Sequence, residues 1–147
     1  MESRIKTLSL LGYLGMMAGF LGLLLMRKLL SAAPVVISVQ AAALGLFLWA
    51  RFTLGRRSYH VAADPTEGGL VTSGPYRYIR HPIYSALCLF VWVGVLAHLS
   101  WLTALCGGLV LGCALVRIFC EETLVAARYP EYREYAARTW RMVPFAF

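Results

Sequence analysis

Two short polar stretches in an otherwise oily chain hold the residue types that could do chemistry. One runs from Gly74 to Tyr84, Gly-Pro-Tyr-Arg-Tyr-Ile-Arg-His-Pro-Ile-Tyr, and mixes aromatic rings, basic side chains and two prolines. The other follows a long apolar stretch, where Arg117 stands one helical turn before the pair Glu121 and Glu122. Residues four apart share a helix face, so the plainest account of Arg117 and Glu121 is an intrahelical ion pair worth roughly 0.3–0.5 kcal/mol. Opposite a cationic ligand and an anionic substrate, the same pair has a sharper use. Glu121 can hold an ammonium, and Arg117 can hold a carboxylate through two parallel hydrogen bonds. Glu122 points about 100° away, towards solvent, and is a further catalytic candidate.

The first stretch offers complementary groups. Leu70 to Pro75 presents backbone amides and carbonyls beside a flexible glycine, which suits main-chain reading of an adenosine and its ribose. Tyr76 and Tyr78 add flat faces with a polar tip. Pro82 at a first helical turn leaves exposed amides where an anionic carboxylate could dock, with His81 and Tyr84 three residues apart at that mouth. An interfacial belt of basic and aromatic residues would explain any one of these side chains. It explains the clustered Gly-Pro-Tyr and Arg-His-Pro-Ile-Tyr poorly.

The elements that must position these groups are membrane helices. The chain has 147 residues, 60% of them hydrophobic and 14% charged, with a mean hydropathy of +0.68. A soluble domain carries about 25% charged residues, so the class is an all-α integral membrane protein. The pI of about 9.6 then speaks of topology and an anionic membrane surface, and no nucleic-acid partner is expected. Four spans are expected, at 8–26, 29–50, 83–97 and 99–116, the last two forming a tight hairpin. Ser31-Ala32-Ala33 has the look of a cleavage site. The preceding apolar run is too long for a signal-peptide core, so an uncleaved helix is expected. Segments 51–82 and 117–147 remain polar, the latter with an amphipathic surface helix around Glu131 to Arg138, and together they form the expected cofactor site. The whole makes one domain.

Inside the spans, Gly12, Gly15, Gly19 and Gly22 form a smooth stripe for close packing, within the chain or between protomers. Gly108 and Gly112 are spaced for packing inside the hairpin. Gln40 is expected to make an interhelical hydrogen bond, and Arg27-Lys28 a very short turn. Cys88, Cys106, Cys113 and Cys120 read as small membrane-helix residues with no metal spacing. With four spans, Arg4, Lys6, Arg51, Arg56, Arg57, Arg77, Arg80, Arg117, Arg128, Arg133, Arg138 and Arg141 share one side, against Arg27 and Lys28 on the other. That asymmetry places both ends, the central loop and the site in the cytoplasm.

Taken together, Leu70 to Tyr84, the Arg117–Glu121-Glu122 spacing, Tyr132, Tyr135 and Val143-Pro144-Phe145 resemble the isoprenylcysteine carboxyl methyltransferase family and its phospholipid methyltransferase relatives. The resemblance implies a membrane enzyme that uses S-adenosyl-L-methionine, acts on a lipophilic or lipidated substrate among membrane lipids, and needs no metal. It implies that Leu70, Val71, Tyr76, His81, Tyr84 and Glu121 line the cofactor pocket and that Arg117 orients the substrate carboxylate. Carboxyl O-methylation of an isoprenylcysteine-like acid is the first expectation, and N-methylation of a phospholipid or other small molecule the second. An NADPH-dependent membrane reductase and a non-catalytic membrane protein are the readings from other classes.

Overall fold

The expected apolar runs all become helices in the computed structural model, which describes residues 2–55 and 69–147. Helices α1 (Glu2–Leu25), α2 (Pro34–Leu54), α3 (Pro82–Ala97) and α4 (Trp101–Arg128) are followed by a short α5 (Tyr132–Arg138). A 3-10 turn, Gly74–Arg77, precedes α3. Arg56, Arg57, Asp64, Glu67 and Gly68, part of the expected polar loop, lie outside the described residues. α1, α2 and α4 are long and apolar enough to cross a bilayer, while α3 is a shorter apolar helix of 16 residues. The protein is an integral membrane protein.

The boundaries differ from the sequence expectation where polar residues are satisfied locally. α1 begins at Glu2, not residue 8, with Glu2 and Lys6 paired one turn apart at 3.0 Å. α4 runs twelve residues past the expected end at 116, because Arg117 and both glutamates find partners inside the fold (below). The connection between α1 and α2 is longer than a very short turn. Arg27 takes a positive φ of 54°, Leu29 is buried, and Pro34 occupies the first turn of α2, where its missing amide is tolerated.

Helix packing is set by small residues. α1 lies antiparallel along α4, with its glycine stripe against α4's cysteines and valine. A Cβ on Gly15 would stand 2.6 Å from Cys113 Sγ, and one on Gly19 2.9 Å from Val110 Cγ2. The stripe is therefore occupied within the chain, the first of its two expected uses. α3 packs chiefly along α2. Gly108 and Gly112 meet nothing within 4 Å, so they do not close the hairpin as expected, and Gly107 beside Val95 and Trp92 takes that place.

Gln40, buried in α2, donates to Leu29 O at 2.8 Å and Phe90 O at 3.3 Å, the expected interhelical bond. His98, beside the α3–α4 turn, meets Leu30 O at 2.8 Å. The two turns thus share one end of the bundle. The polar stretches share the other. Gly94 is the tightest point near the first end, since a Cβ there would land on the Leu29 carbonyl oxygen. Gly94→Ala is expected to push that turn away and cost about 1–3 kcal/mol, read as a lower unfolding temperature in detergent. Gly108→Ala, in open space, should leave it unchanged.

Candidate functional site

Three separate stretches of chain meet at the end of the bundle opposite the turns. Gly74 makes the first approach possible. Its φ is +57°, and a Cβ there would stand 2.5 Å from Thr53 Oγ1, so the 3-10 turn sits directly on the end of α2. This buries Pro75 and Tyr76. Beyond the turn, Ile79 pairs in parallel with Trp140 in an isolated bridge. Arg80 N donates to Trp140 O at 2.7 Å, His81 N to Arg141 O at 2.9 Å and Trp140 N to Tyr78 O at 3.0 Å. Ser85 Oγ adds a bond to Met142 O at 2.6 Å, and Met142 is buried in the core. The C-terminal segment is strapped across the mouth of α3.

Glu122 is the knot of that strap. Its Oε1 accepts from Arg80 Nε at 2.9 Å and lies 3.3 Å from His81 Nε2, while its Oε2 accepts from Arg141 Nε at 3.0 Å. Arg80 Nη1 also donates to the carbonyls of Ala136 and Thr139. The Glu122 side chain is only 13% exposed. The expectation that it points into solvent is corrected: the tail folds back over that face of α4 and brings two guanidiniums to it. Such contacts make Glu122 a structural tie between α4, the segment before α3, and the tail.

Glu121, on the next face round, builds the second cluster. Its Oε1 accepts from Tyr84 OH and from Arg117 Nη2, the latter at 3.3 Å. Its Oε2 lies 3.8 Å from His81 Nδ1, and the side chain is 25% exposed. His81 therefore stands between both carboxylates, with its ring tilted 47° to that of Tyr84 at 5.9 Å. Arg117 is 5% exposed. It donates from Nε to Tyr84 OH at 2.8 Å and from Nη1 to Ser9 O at 3.1 Å, and its guanidinium lies 5.3 Å from the Tyr13 ring centroid. The simple ion pair anticipated for Arg117 and Glu121 exists, set inside a larger network.

The tyrosines beside this network keep their phenol protons. Burial raises the phenols of Tyr76 and Tyr132 well above their usual range and lifts that of Tyr135 to about 12. Tyr135 OH donates to Tyr76 O at 2.7 Å, which ties α5 to the 3-10 turn.

His81, Tyr84, Arg117 and Glu121 are thus brought together, with Tyr76 buried close enough to feel the Glu121 charge. Leu70 and Val71 lie half-buried in irregular chain before the turn, and they take no part in these hydrogen bonds. Sequence reasoning gave no site role to Arg141, Ser9 or Tyr13, named Tyr135 only within the family resemblance, and left Arg80 without a partner. The surplus of arginines around two adjacent glutamates was a signal for Arg80 and Arg141. Nothing in the sequence marked Ser9 or Tyr13.

A family model described as the isoprenylcysteine carboxyl methyltransferase (ICMT) family matches residues 32–127. Among curated proteins, the chain is 34% identical over 112 residues to the nickel-cobalt-cadmium resistance protein NccN of Alcaligenes xylosoxydans xylosoxydans. It is 31% identical over 112 residues to the cobalt-zinc-cadmium resistance protein CzcN of Cupriavidus metallidurans. Each alignment covers 74% of this chain and 47% of the relative, so the aligned region is about half the length of those proteins. No solved structure matches the chain.

Proposed function

Since the chain belongs to the isoprenylcysteine carboxyl methyltransferase family, we propose that it transfers a methyl group from S-adenosylmethionine to a lipophilic acceptor at the cytoplasmic membrane face. The observation that carries this reading is the Glu121 cluster. A partly exposed carboxylate, one oxygen held by Tyr84 and Arg117, turns its other oxygen towards His81 at the polar end of the bundle. That donor set fits an amino-acid group. Glu121 Oε2 takes the ammonium, while Tyr76 and the backbone of Leu70 and Val71 take the nucleoside side.

Bound there, the cofactor supplies a methyl group already activated by its sulfonium, so the protein needs no covalent intermediate. The chain's task is alignment and exclusion of water. The strap from Trp140 to Met142 covers the mouth of α3, which supports the second of these. Arg117 lies one turn deeper along α4 than Glu121, on the side from which a lipid-borne group arrives. With the ammonium on Glu121 Oε2, Arg117 keeps its seat against Ser9 and presents the Nη2 edge of its guanidinium to an acceptor carboxylate, the isoprenylcysteine-like case. The twelve-to-two distribution of basic residues supports a cytoplasmic site, with α3 completing four spans as a short, tilted crossing.

Binding to the purified protein in detergent tests the cofactor. S-adenosylmethionine is expected to raise the unfolding temperature and NADPH to leave it unchanged; the reverse pattern would make a reductase the better reading. Arg117→Lys tests the acceptor role. Lysine keeps the charge and loses the fork. It is expected to hold S-adenosylmethionine within a few-fold of wild type and to methylate a prenylcysteine-like acid at least about tenfold more slowly. Near-normal turnover would remove Arg117 from acceptor alignment.

A further inference from the structure

α1 lies outside residues 32–127, the part that matches the family model, yet it supplies much of the seat in which Arg117 rests. Ser9 O accepts from Nη1 at 3.1 Å. The Tyr13 ring lies 5.3 Å from the guanidinium carbon of the buried Arg117. Gly12 leaves the room: a Cβ there would stand 3.1 Å from Arg117 Cγ and 3.3 Å from Cys113 O. Ser9 itself is fully buried. These contacts span one helical turn of α1, and all bear on the side chain that in turn holds Tyr84 and Glu121.

We infer that the Ser9–Tyr13 turn of α1 is a positioning element for the methyl acceptor, acting through Arg117. A guanidinium with its long side chain has many rotamers, and only those aimed at the acceptor give alignment. Ser9 O fixes one end of the fork and the Tyr13 ring fixes its plane. Among the described residues, the hydrogen bonds and ion pairs of Glu121 Oε2 and His81 run to α3, α4 and the tail, with none to α1. This division rests on the reading of Arg117 given above, and it assigns α1 to acceptor alignment and not to cofactor affinity.

Tyr13→Leu, Tyr13→Phe and Gly45→Ala test it in the full chain, the last as a control in open space on α2. The measurements are S-adenosylmethionine affinity and kcat/KM for a prenylcysteine-like acid. Tyr13→Leu is expected to lower kcat/KM for the acceptor about 3- to 30-fold while cofactor affinity stays within about twofold. Tyr13→Phe, which keeps the ring face, should recover most of that loss, and Gly45→Ala should match wild type. A merely structural role for Tyr13 would lower cofactor affinity and acceptor turnover together, and that result would overturn the inference. So would unaltered acceptor kinetics in Tyr13→Leu alongside an active wild type, which leaves the methyltransferase reading standing. A wild type that neither binds S-adenosylmethionine nor methylates would overturn both.

Discussion

Glu122→Gln is expected to destabilise the protein by about 3–5 kcal/mol, the usual cost of breaking a buried charge pair from one side. The amide keeps the shape of the carboxylate and loses its charge. Arg80, 8% exposed at its side chain, then stays buried without its carboxylate. Arg141 is more exposed and contributes less, because solvent screens it. The effect should appear as a fall in unfolding temperature on the order of 10 °C. Proteolysis should also become faster in the segment after Arg128, since Glu122 ties that segment to α4. Glu134→Gln is the internal comparison. Its ion pair with Arg138 is largely exposed, and its loss should be barely measurable. Equal stability of Glu122→Gln and wild type would show that the strap is held by its backbone bonds alone.

Glu121→Gln is expected to fold and to lose cofactor affinity. A glutamine oxygen still accepts from Tyr84 and Arg117, so the network of three side chains survives in outline. What disappears is the negative charge that, on the proposed reading, faces the ammonium of S-adenosylmethionine. A hydrogen bond to a charged group is worth about 1.5–3 kcal/mol, so affinity should fall roughly 10- to 150-fold. S-adenosylhomocysteine should lose a similar factor, because it keeps the ammonium and lacks the sulfonium charge. A much smaller loss for S-adenosylhomocysteine would move Glu121 to the sulfonium. Unchanged affinity for both ligands in a folded variant would remove it from the cofactor site. Glu121→Ala is the harsher change, since it also leaves buried Arg117 short of its carboxylate.

The membrane helices were legible because hydropathy is summed along a run and does not depend on what the run packs against. Even so, the ends of α1 and α4 were misplaced. A charged residue looks like the end of a span unless its partner is known, and Arg117's partners come from α1 and α3 as well as from its own helix. The Arg117–Glu121 pair was legible for the opposite reason: both members lie on one helix at a fixed spacing. The meeting of His81 and Tyr84 with Glu121 followed from placing both stretches at one end of the bundle. Glu122 was misjudged because its partners arrive by a parallel pairing of residues 79 and 140, a contact with no local signature. The glycine stripe on α1 announced close packing, but the identity of its neighbour, α4, became clear only from the three-dimensional arrangement.

Methyl transfer itself tests the account most directly. The purified chain in lipid vesicles, given methyl-tritiated S-adenosylmethionine and a farnesylated cysteine acid, should move tritium into the organic phase. Mild alkali should then release it as methanol, the mark of a carboxyl methyl ester. Tritium that stays bound through alkali, on a phospholipid or amine, would replace the carboxyl acceptor with a nitrogen one. No transfer to any lipophilic acceptor, from a protein shown to be folded, would contradict the assignment of this site to methyl transfer.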